Sequence, residues 1–403
     1  MNRKVTSVLL ALGLAGTAAA CGGGGGSGSA DAAAQAKGPI TVWYSNNAEE
    51  VAWAKQMVAS WNTAHADQKV TGQEIPTGKS SEEVIGAAIT AGNAPCLIFN
   101  TSPASVSQFQ KQGGLVALDS FSDGKSYIES RSGKVASQYK STDGKYYQLP
   151  WKANPVMIFY NKKAFAKAAN FAIWPAPSNE FYQPWFDFYP LFAAETGGKQ
   201  LVEGGKAQFA SDEGKKVANF WRTLYAEKLA SQEKYSADAF ADGKAAMAIV
   251  GPWAIAVYKG KVEWGAVPVP TSAGKPASDI HTFSDAKNVG MYSACKNRGT
   301  AWDVLKFATS KEQDGKLLEG SGQMPLRNDV AGAYPEYFTK NPDYKSFADQ
   351  AARTVEVPNV ANSIEIWQTF RDAYSKSVIF GQQDPGAALD GAAQKVDQLA
   401  AQS

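Results

Sequence analysis

Two groups of residues in this 403-residue chain could do chemistry, and only one of them is organised. The first is the usual catalytic set. The chain has no G-x-S-x-G elbow, no H-E-x-x-H pair and no glycine-rich phosphate loop. Histidine occurs twice: His65 follows a helical pattern beside Ala66-Asp67, and His281 falls in a loop. Neither reads as catalytic. No spacing of His, Cys, Asp and Glu fits a metal site, so neither metal nor cofactor is expected. Acidic pairs such as Asp187 with Glu195 exist, and a glycosidase needs two carboxylates across a cleft, but sequence alone assigns no such geometry.

The second group is aromatic residues interleaved with neutral polar ones at strand ends and loops. It comprises Trp43-Tyr44-Ser45-Asn46-Asn47, Trp151-Lys152-Ala153-Asn154, Glu180-Phe181-Tyr182-Gln183-Pro184-Trp185 and Gly251-Pro252-Trp253. The tract from Pro358-Asn359 to Trp367 completes it. Such a set suits a sugar, which has apolar C–H faces and hydroxyl-rich edges. Rings cover the faces, adding about 0.5–1.5 kcal/mol each by analogy with aromatic pairs. Asn, Asp, Gln and Lys satisfy hydroxyls that are costly to bury unpaired. The competing role for any one ring is the core.

These tracts need elements to position them. Ile40 to Tyr44 reads as a strand stopped by a turn cluster, and Ala48 to His65 as a helix with Val51, Ala54, Met57, Val58 and Trp61 on one face. Val70–Ile75 is a strand, Ser80 and Ser81 with Glu83 open a helix to about Ala91, and Cys96–Phe99 is a short apolar strand. Further strands are expected at Tyr147–Trp151, Val156–Tyr160, Ala245–Val250 and Val289–Ala294. Helices are expected over Asp212–Leu229, Thr300–Thr309, Ser363–Ile379 and Pro385–Ala401. The alternation predicts an α/β chain with a mostly parallel sheet, whose ligands bind beyond the strand ends.

The N-terminus fixes the compartment. Arg3 and Lys4 precede an apolar stretch through Leu14, too short to span a bilayer, and Ala18-Ala19-Ala20 lead into Cys21. Residues 22–38, rich in Gly, Ser, Ala and Asp, read as a flexible tether. Without residues 1–20, Lys and Arg fall from 40 to 38 against 38 Asp and Glu. That neutral balance argues against nucleic acid, which needs a concentrated basic face. No later stretch reaches the roughly 18 apolar residues of a membrane span. In an exported protein Cys96 and Cys295 are a possible disulfide pair, or two buried thiols.

Two resemblances sharpen this reading. The start resembles a bacterial lipoprotein signal, with Ala18 where the usual box prefers Leu; it implies lipidation of Cys21 and anchoring on the extracytoplasmic face of the cell membrane. Downstream, Ala245 to Trp253 resembles the G-P-W segment of extracellular solute-binding proteins of the maltose-binding type. Phe159-Tyr160-Asn161-Lys162, Gly322-Gln323-Met324-Pro325-Leu326-Arg327, and Trp367 with Arg371 resemble further motifs of that family, in collinear order. The family implies a two-lobe periplasmic-binding-protein-like fold (type II) with the ligand in the inter-lobe cleft. The lobes would be residues 39–153 with 287–333, and 154–286 with 334–403, closing by hinge motion.

Carried over by position, the ligand-binding set is Ser45, Asn46, Asn47, Asn100, Thr101, Trp151, Asn154, Tyr182, Trp185, Trp253, Ser284, Asp285, Met324, Arg327 and Trp367. In the family the tryptophans matching Trp253 and Trp367 stack on sugar, and Asn154 falls where relatives often carry an acid. The resemblance also implies that strands near Cys96 and Cys295 run antiparallel, which would pair them in a disulfide. One departure is the short passage from Lys163 to Phe171, where the family carries a longer stretch. The implied function is a monomeric substrate-binding lipoprotein serving ABC permease subunits, with an oligosaccharide, a disaccharide in size, as ligand and no enzyme activity. The alternatives are a surface-tethered glycoside hydrolase, or a binding protein for a peptide or polyamine.

Overall fold

A computed structural model describes residues 28–77, 80–164, 171–175 and 182–402. The signal segment, Cys21 and residues 165–170 of the short passage lie outside these, as do Glu180 and Phe181. The described chain forms two main sheets, each with its own core. The first holds β1 (Ile40–Tyr44), β2 (Val70–Glu74), β3 (Leu97–Thr101), β4 (Gln148–Lys152) and, from far along the chain, β9 (Lys287–Met291). Their order is β2-β1-β3-β9-β4. β1 runs parallel to β2 and β3, whereas β9 is antiparallel to β3 and β4. The register sets Met291 opposite Leu97, which brings Cys96 to Cys295. The two form a disulfide with Cα atoms 4.5 Å apart.

The second sheet holds β5 (Met157–Asn161), β6 (Phe171–Trp174), β7 (Ala245–Val250) and β8 (Trp264–Val267), in the order β8-β5-β7-β6. Against it packs the helix Pro184–Thr196, apolar around most of its circumference and therefore buried. Pro184 opens this helix and left-handed Gly197 closes it, the placements each residue's backbone favours.

The chain passes between the sheets more than once, and the passages are bonded to one another. Pro155 bridges Ser284, and the Ala153 N–H donates to the Met324 carbonyl at 2.9 Å. Val330 and Phe338, just beyond, pack with Met157 and Phe159 under the second sheet.

Most elements lie where the residue pattern predicts, with differences of physical interest. Residues 28–35 form a helix, α1 (Gly28–Gln35), where the sequence suggested only tether. Four of its eight residues are alanine, the strongest helix former, and the segment after it is docked. The Ala36 carbonyl accepts from Gly299 N at 3.0 Å, and Lys37 pairs with Asp303. The helix α2 (Ala48–Ala64) buries Trp53 and Glu50 together with Ala54, Met57 and Trp61, while Val51 and Val58 are only half-buried. Glu50 is buried because it pairs with buried Lys152 on β4.

Candidate functional site

Loops at the ends of β1, β2 and β3 meet the second lobe across a cleft of about 470 Å³. One wall carries Ser45 and Asn46 from the β1–α2 turn, Asn100 and Ser102 from the end of β3, and Ser80 to Glu82. The last three open helix α3 (Ser81–Thr90), whose cap is the Ser80 hydroxyl accepting from Glu83 N at 3.2 Å. The opposite wall carries Tyr182, Trp185 and Phe186. Asp285 and Lys287 close the cleft where the chain returns to the first sheet, paired at 2.8 Å. Burial pulls Lys287 down, but the Asp285 carboxylate outweighs it and holds the ammonium above its usual range.

Asn100 has the left-handed φ of +67°, a conformation Asn tolerates and most residues do not. Its Oδ1 is buried without a hydrogen-bond partner in the described structure. An acceptor held that way beside a cleft is ready for a ligand O–H.

A second cavity of about 690 Å³ opens on the other side of the β1–α2 turn, between Asn47 and Glu49 on one wall and Trp253, Trp264 and Tyr337 on the other. Asn47 also caps α2, its Oδ1 accepting from Glu49 N at 3.1 Å and Glu50 N at 3.2 Å. Trp253 is half-buried, and Phe186 meets it edge to face at 6.3 Å, so rings of both cavities touch. Gly251 explains the G-P-W spacing: a Cβ there would lie 1.8 Å from the Trp253 ring. Only glycine lets this indole fold over its own turn.

The cavities therefore gather eight of the fifteen ligand-binding residues expected from sequence: Ser45, Asn46, Asn100, Tyr182, Trp185 and Asp285 at the first, Asn47 and Trp253 at the second. The other seven line neither cavity, and each placement has a physical cause. Trp367 is 0% exposed and meets Trp185 edge to face at 6.0 Å, so it supports a cleft residue from behind. Trp151 is 1% exposed, wedged between Trp53 and Phe99 at 5.2 and 5.3 Å. The Thr101 hydroxyl donates to the Asn288 carbonyl at 3.1 Å within the sheet.

Asn154, Ser284 and Met324 belong to the passages between the lobes. Asn154 donates to Gln323 Oε1 at 2.7 Å and accepts from Met324 N at 3.1 Å, while Ser284 N donates to the Val355 carbonyl at 3.0 Å. The Met324 side chain lies in the core under the second sheet. Arg327 donates to Asp314 at 2.7 Å, and Arg131 reaches the same carboxylate at 2.8 Å. These two arginines hold a loop and line neither cavity.

Asp187 and Glu195 do not form a facing pair. Asp187 is buried against Gln183, and Glu195 accepts from Ser272. Among the described residues no group of three or more His, Cys, Asp or Glu comes together as a metal site. Sequence reasoning missed Phe186, Lys287 and the Ser80–Glu82 turn. Phe186 continues an aromatic tract already singled out, and Ser80 was recognisable as a cap. Nothing in the sequence pointed Lys287 into a cleft.

Comparison with known proteins places this geometry. The maltodextrin-binding protein MdxE of Bacillus subtilis is 25% identical over 307 residues, covering 69% of this chain and 71% of that protein. The diacetylchitobiose binding protein DasA of Streptomyces coelicolor is 26% identical over 320 residues, covering 71% and 72%. In structure, the cyclic alpha-maltosyl-1,6-maltose binding protein of Arthrobacter globiformis superimposes with a TM-score of 0.76 at 18% identity, covering 91% of this chain and 100% of that one. The profile of bacterial extracellular solute-binding proteins matches residues 56–346. With cleft, fold and profile in agreement, the chain belongs to the bacterial extracellular solute-binding protein family.

Proposed function

We propose that this chain captures a short oligosaccharide, a disaccharide in size, for an ABC importer and makes or breaks no bond. The observation that carries the reading is the division of the cleft. Aromatic Tyr182, Trp185 and Phe186 stand on one wall, and Ser45, Asn46 and Asn100 stand opposite. Rings for the C–H faces and neutral hydrogen-bonding groups for the edges are what a sugar requires. The cleft volume lies within the ordinary range for small ligands. Relatives named for maltodextrin and diacetylchitobiose support the same class. A polyamine would want clustered acids, whereas the cleft carries Glu82 and Asp285, the latter already paired with Lys287.

In this reading Cys21 carries the lipid that holds the protein outside the cell membrane, and a tether shortened by α1 lets the closed lobes meet permease subunits. Calorimetry against maltose, maltotriose, diacetylchitobiose and cellobiose tests the ligand class. At least one should bind near micromolar, about −8 kcal/mol. No saccharide binding at millimolar concentration, or turnover of a chromogenic glycoside, would overturn the proposal. Mass spectrometry of the mature N-terminus tests the anchor: any start other than a modified Cys21 removes it and leaves the cleft untouched.

A further inference from the structure

Behind the aromatic wall of the cleft lies a separate cavity of about 450 Å³, wholly within the second lobe. It shares Tyr182 and Phe186 with the cleft, and its other rings are Trp174, Tyr235, Phe240 and Tyr258. Trp174 and Tyr235 meet edge to face at 5.7 Å, and Phe240 lies 4.7 Å from Tyr258. The lining is mostly apolar, with Lys234 and Asp238 also on it and Gln183 and Asp187 reaching it from the first turn of the helix Pro184–Thr196.

These two groups are unusual for such surroundings. Asp187 is 2% exposed and Gln183 is 3% exposed. Gln183 Nε2 donates to Asp187 Oδ2 at 2.6 Å, and no cation joins them among the described residues. The Gln183 Oε1 is buried with no donor among the described residues. An unpaired carbonyl and a carboxylate lacking a counter-ion lie together at the base of an aromatic box. Both ask for an N–H donor, and the ring faces favour a positive charge.

We infer that this cavity is a binding site for a protonated amine, with Asp187 and Gln183 receiving the ammonium N–H groups and the rings enclosing its apolar body. Two sources would carry that chemistry: a free small amine, or an amino group on a saccharide lying in the adjoining cleft. The second source rests on the sugar-binding reading above, whereas the first does not.

Burial raises Asp187 to about 7, with Gln183 opposing. The other ionisable groups around the box are Tyr225 and Tyr374 behind Asp187, and Tyr182, Lys234, Tyr235, Asp238 and Tyr258 on the lining. Burial holds Tyr225, Tyr374 and Tyr258 above the ordinary phenol range, and its hydrogen bond to Asp242 does the same for Tyr235, so Asp187 is the group expected to change charge between pH 6 and 8. Amine binding should therefore tighten over that interval as the carboxyl gives up its proton.

The test uses the full chain with benzylamine and benzyl alcohol as probes, followed by nuclear magnetic resonance of the Trp174 indole N–H. Benzylamine should bind at least ten-fold more tightly than benzyl alcohol at pH 8, less so at pH 6, and Asp187→Asn should abolish the preference. Tyr235→Ala, at the half-exposed rim, should weaken both probes without affecting folding. Equal binding of the two probes, no binding of either, or an amine preference that survives Asp187→Asn would overturn the inference. Comparing chitobiose with cellobiose then separates the sources: a gain for chitobiose that Asp187→Asn removes assigns the site to an amino group on the cleft ligand. Benzylamine preference without that gain assigns it to a free amine. If no saccharide binds while benzylamine does, the sugar reading fails and this one stands.

Discussion

At the scale of single residues, Trp253 and Trp367 show what sequence can and cannot reveal. Both carry a family motif, and both suggest a ring stacked on ligand. A motif preserves a ring's place in the fold but not which neighbour covers it. Trp253 keeps a half-exposed face because Gly251 lets it fold over its own turn. Trp367 sits on the same helix face as Ile366 and Phe370 contribute to, and is sealed behind Trp185. The substitutions should therefore separate. Trp253 lines the second cavity and reaches the cleft through its edge-to-face contact with Phe186, so Trp253→Ala is expected to weaken saccharide binding about ten-fold, about 1.4 kcal/mol, with little change in unfolding midpoint. Trp367→Ala empties a core site and should cost about 3–5 kcal/mol in urea unfolding. Calorimetry and denaturation on the same two variants check this. A Trp367→Ala protein as stable as wild type would show that the ring is not core. Among the polar candidates, Ser45, Asn46, Asn47 and Asn100 lie at cavities where strand ends open into loops, whereas Thr101, Asn154 and Ser284 are held by hydrogen bonds within the protein.

At the scale of elements, period and punctuation carry most of the information. Asn47, Ser80 and Ser211 each cap the helix that the pattern places after them. The pattern fails where alanine competes with glycine and serine. The run through residues 28–35 looks like linker by composition, yet its alanines form a helix once residues 36–38 dock on Gly299 and Thr300. Pairing of distant strands is the part no local pattern holds. That β9 runs antiparallel beside β3 came from resemblance rather than from any residue of β9, and it is what closes the disulfide; its second neighbour, β4, was not foreseen. Cys96 and Cys295 are 199 residues apart, so the cross-link removes a large loop from the unfolded ensemble, worth ~5 kcal/mol by chain entropy. The double variant Cys96→Ser, Cys295→Ser should unfold at clearly lower temperature than the oxidised protein. Dithiothreitol should lower the wild-type midpoint towards it. A midpoint indifferent to both would mean that the sheet, not the bond, holds β9.

At the scale of the whole molecule, the two lobes meet around passages that share one small core of Tyr139, Ala153, Ala286 and Leu326. Glu356 lies beside it. Its Oε2 accepts from the Tyr139 hydroxyl of the first lobe at 3.2 Å, its Oε1 from Val357 N at 2.7 Å, and its carbonyl from Tyr189 of the second lobe at 2.8 Å. Burial raises this carboxyl to about 8; the Val357 N–H lowers it, Asp285 adds to the rise, and Lys287 and Tyr139 oppose it. The linkage has a definite sign. A carboxyl whose folded value lies above its unfolded value of 4.5 favours folding fully only below the latter. The contribution is lost progressively as pH rises towards 8. Asp187, raised from 3.8 to about 7, acts in the same direction. The thermal midpoint should therefore fall by several degrees between about pH 5 and pH 8, where proteins with ordinary carboxylates hold steady. Glu356→Gln keeps the shape and an acceptor for the Val357 N–H without the titration, so it should flatten much of that fall, and adding Asp187→Asn should flatten more of it. Because Glu356 touches both lobes, the same variant should also flatten any pH dependence of neutral-saccharide affinity over this interval, while leaving the amine preference to Asp187. A wild-type midpoint that rises through it would place both carboxyls in the charged form and reverse the assignment.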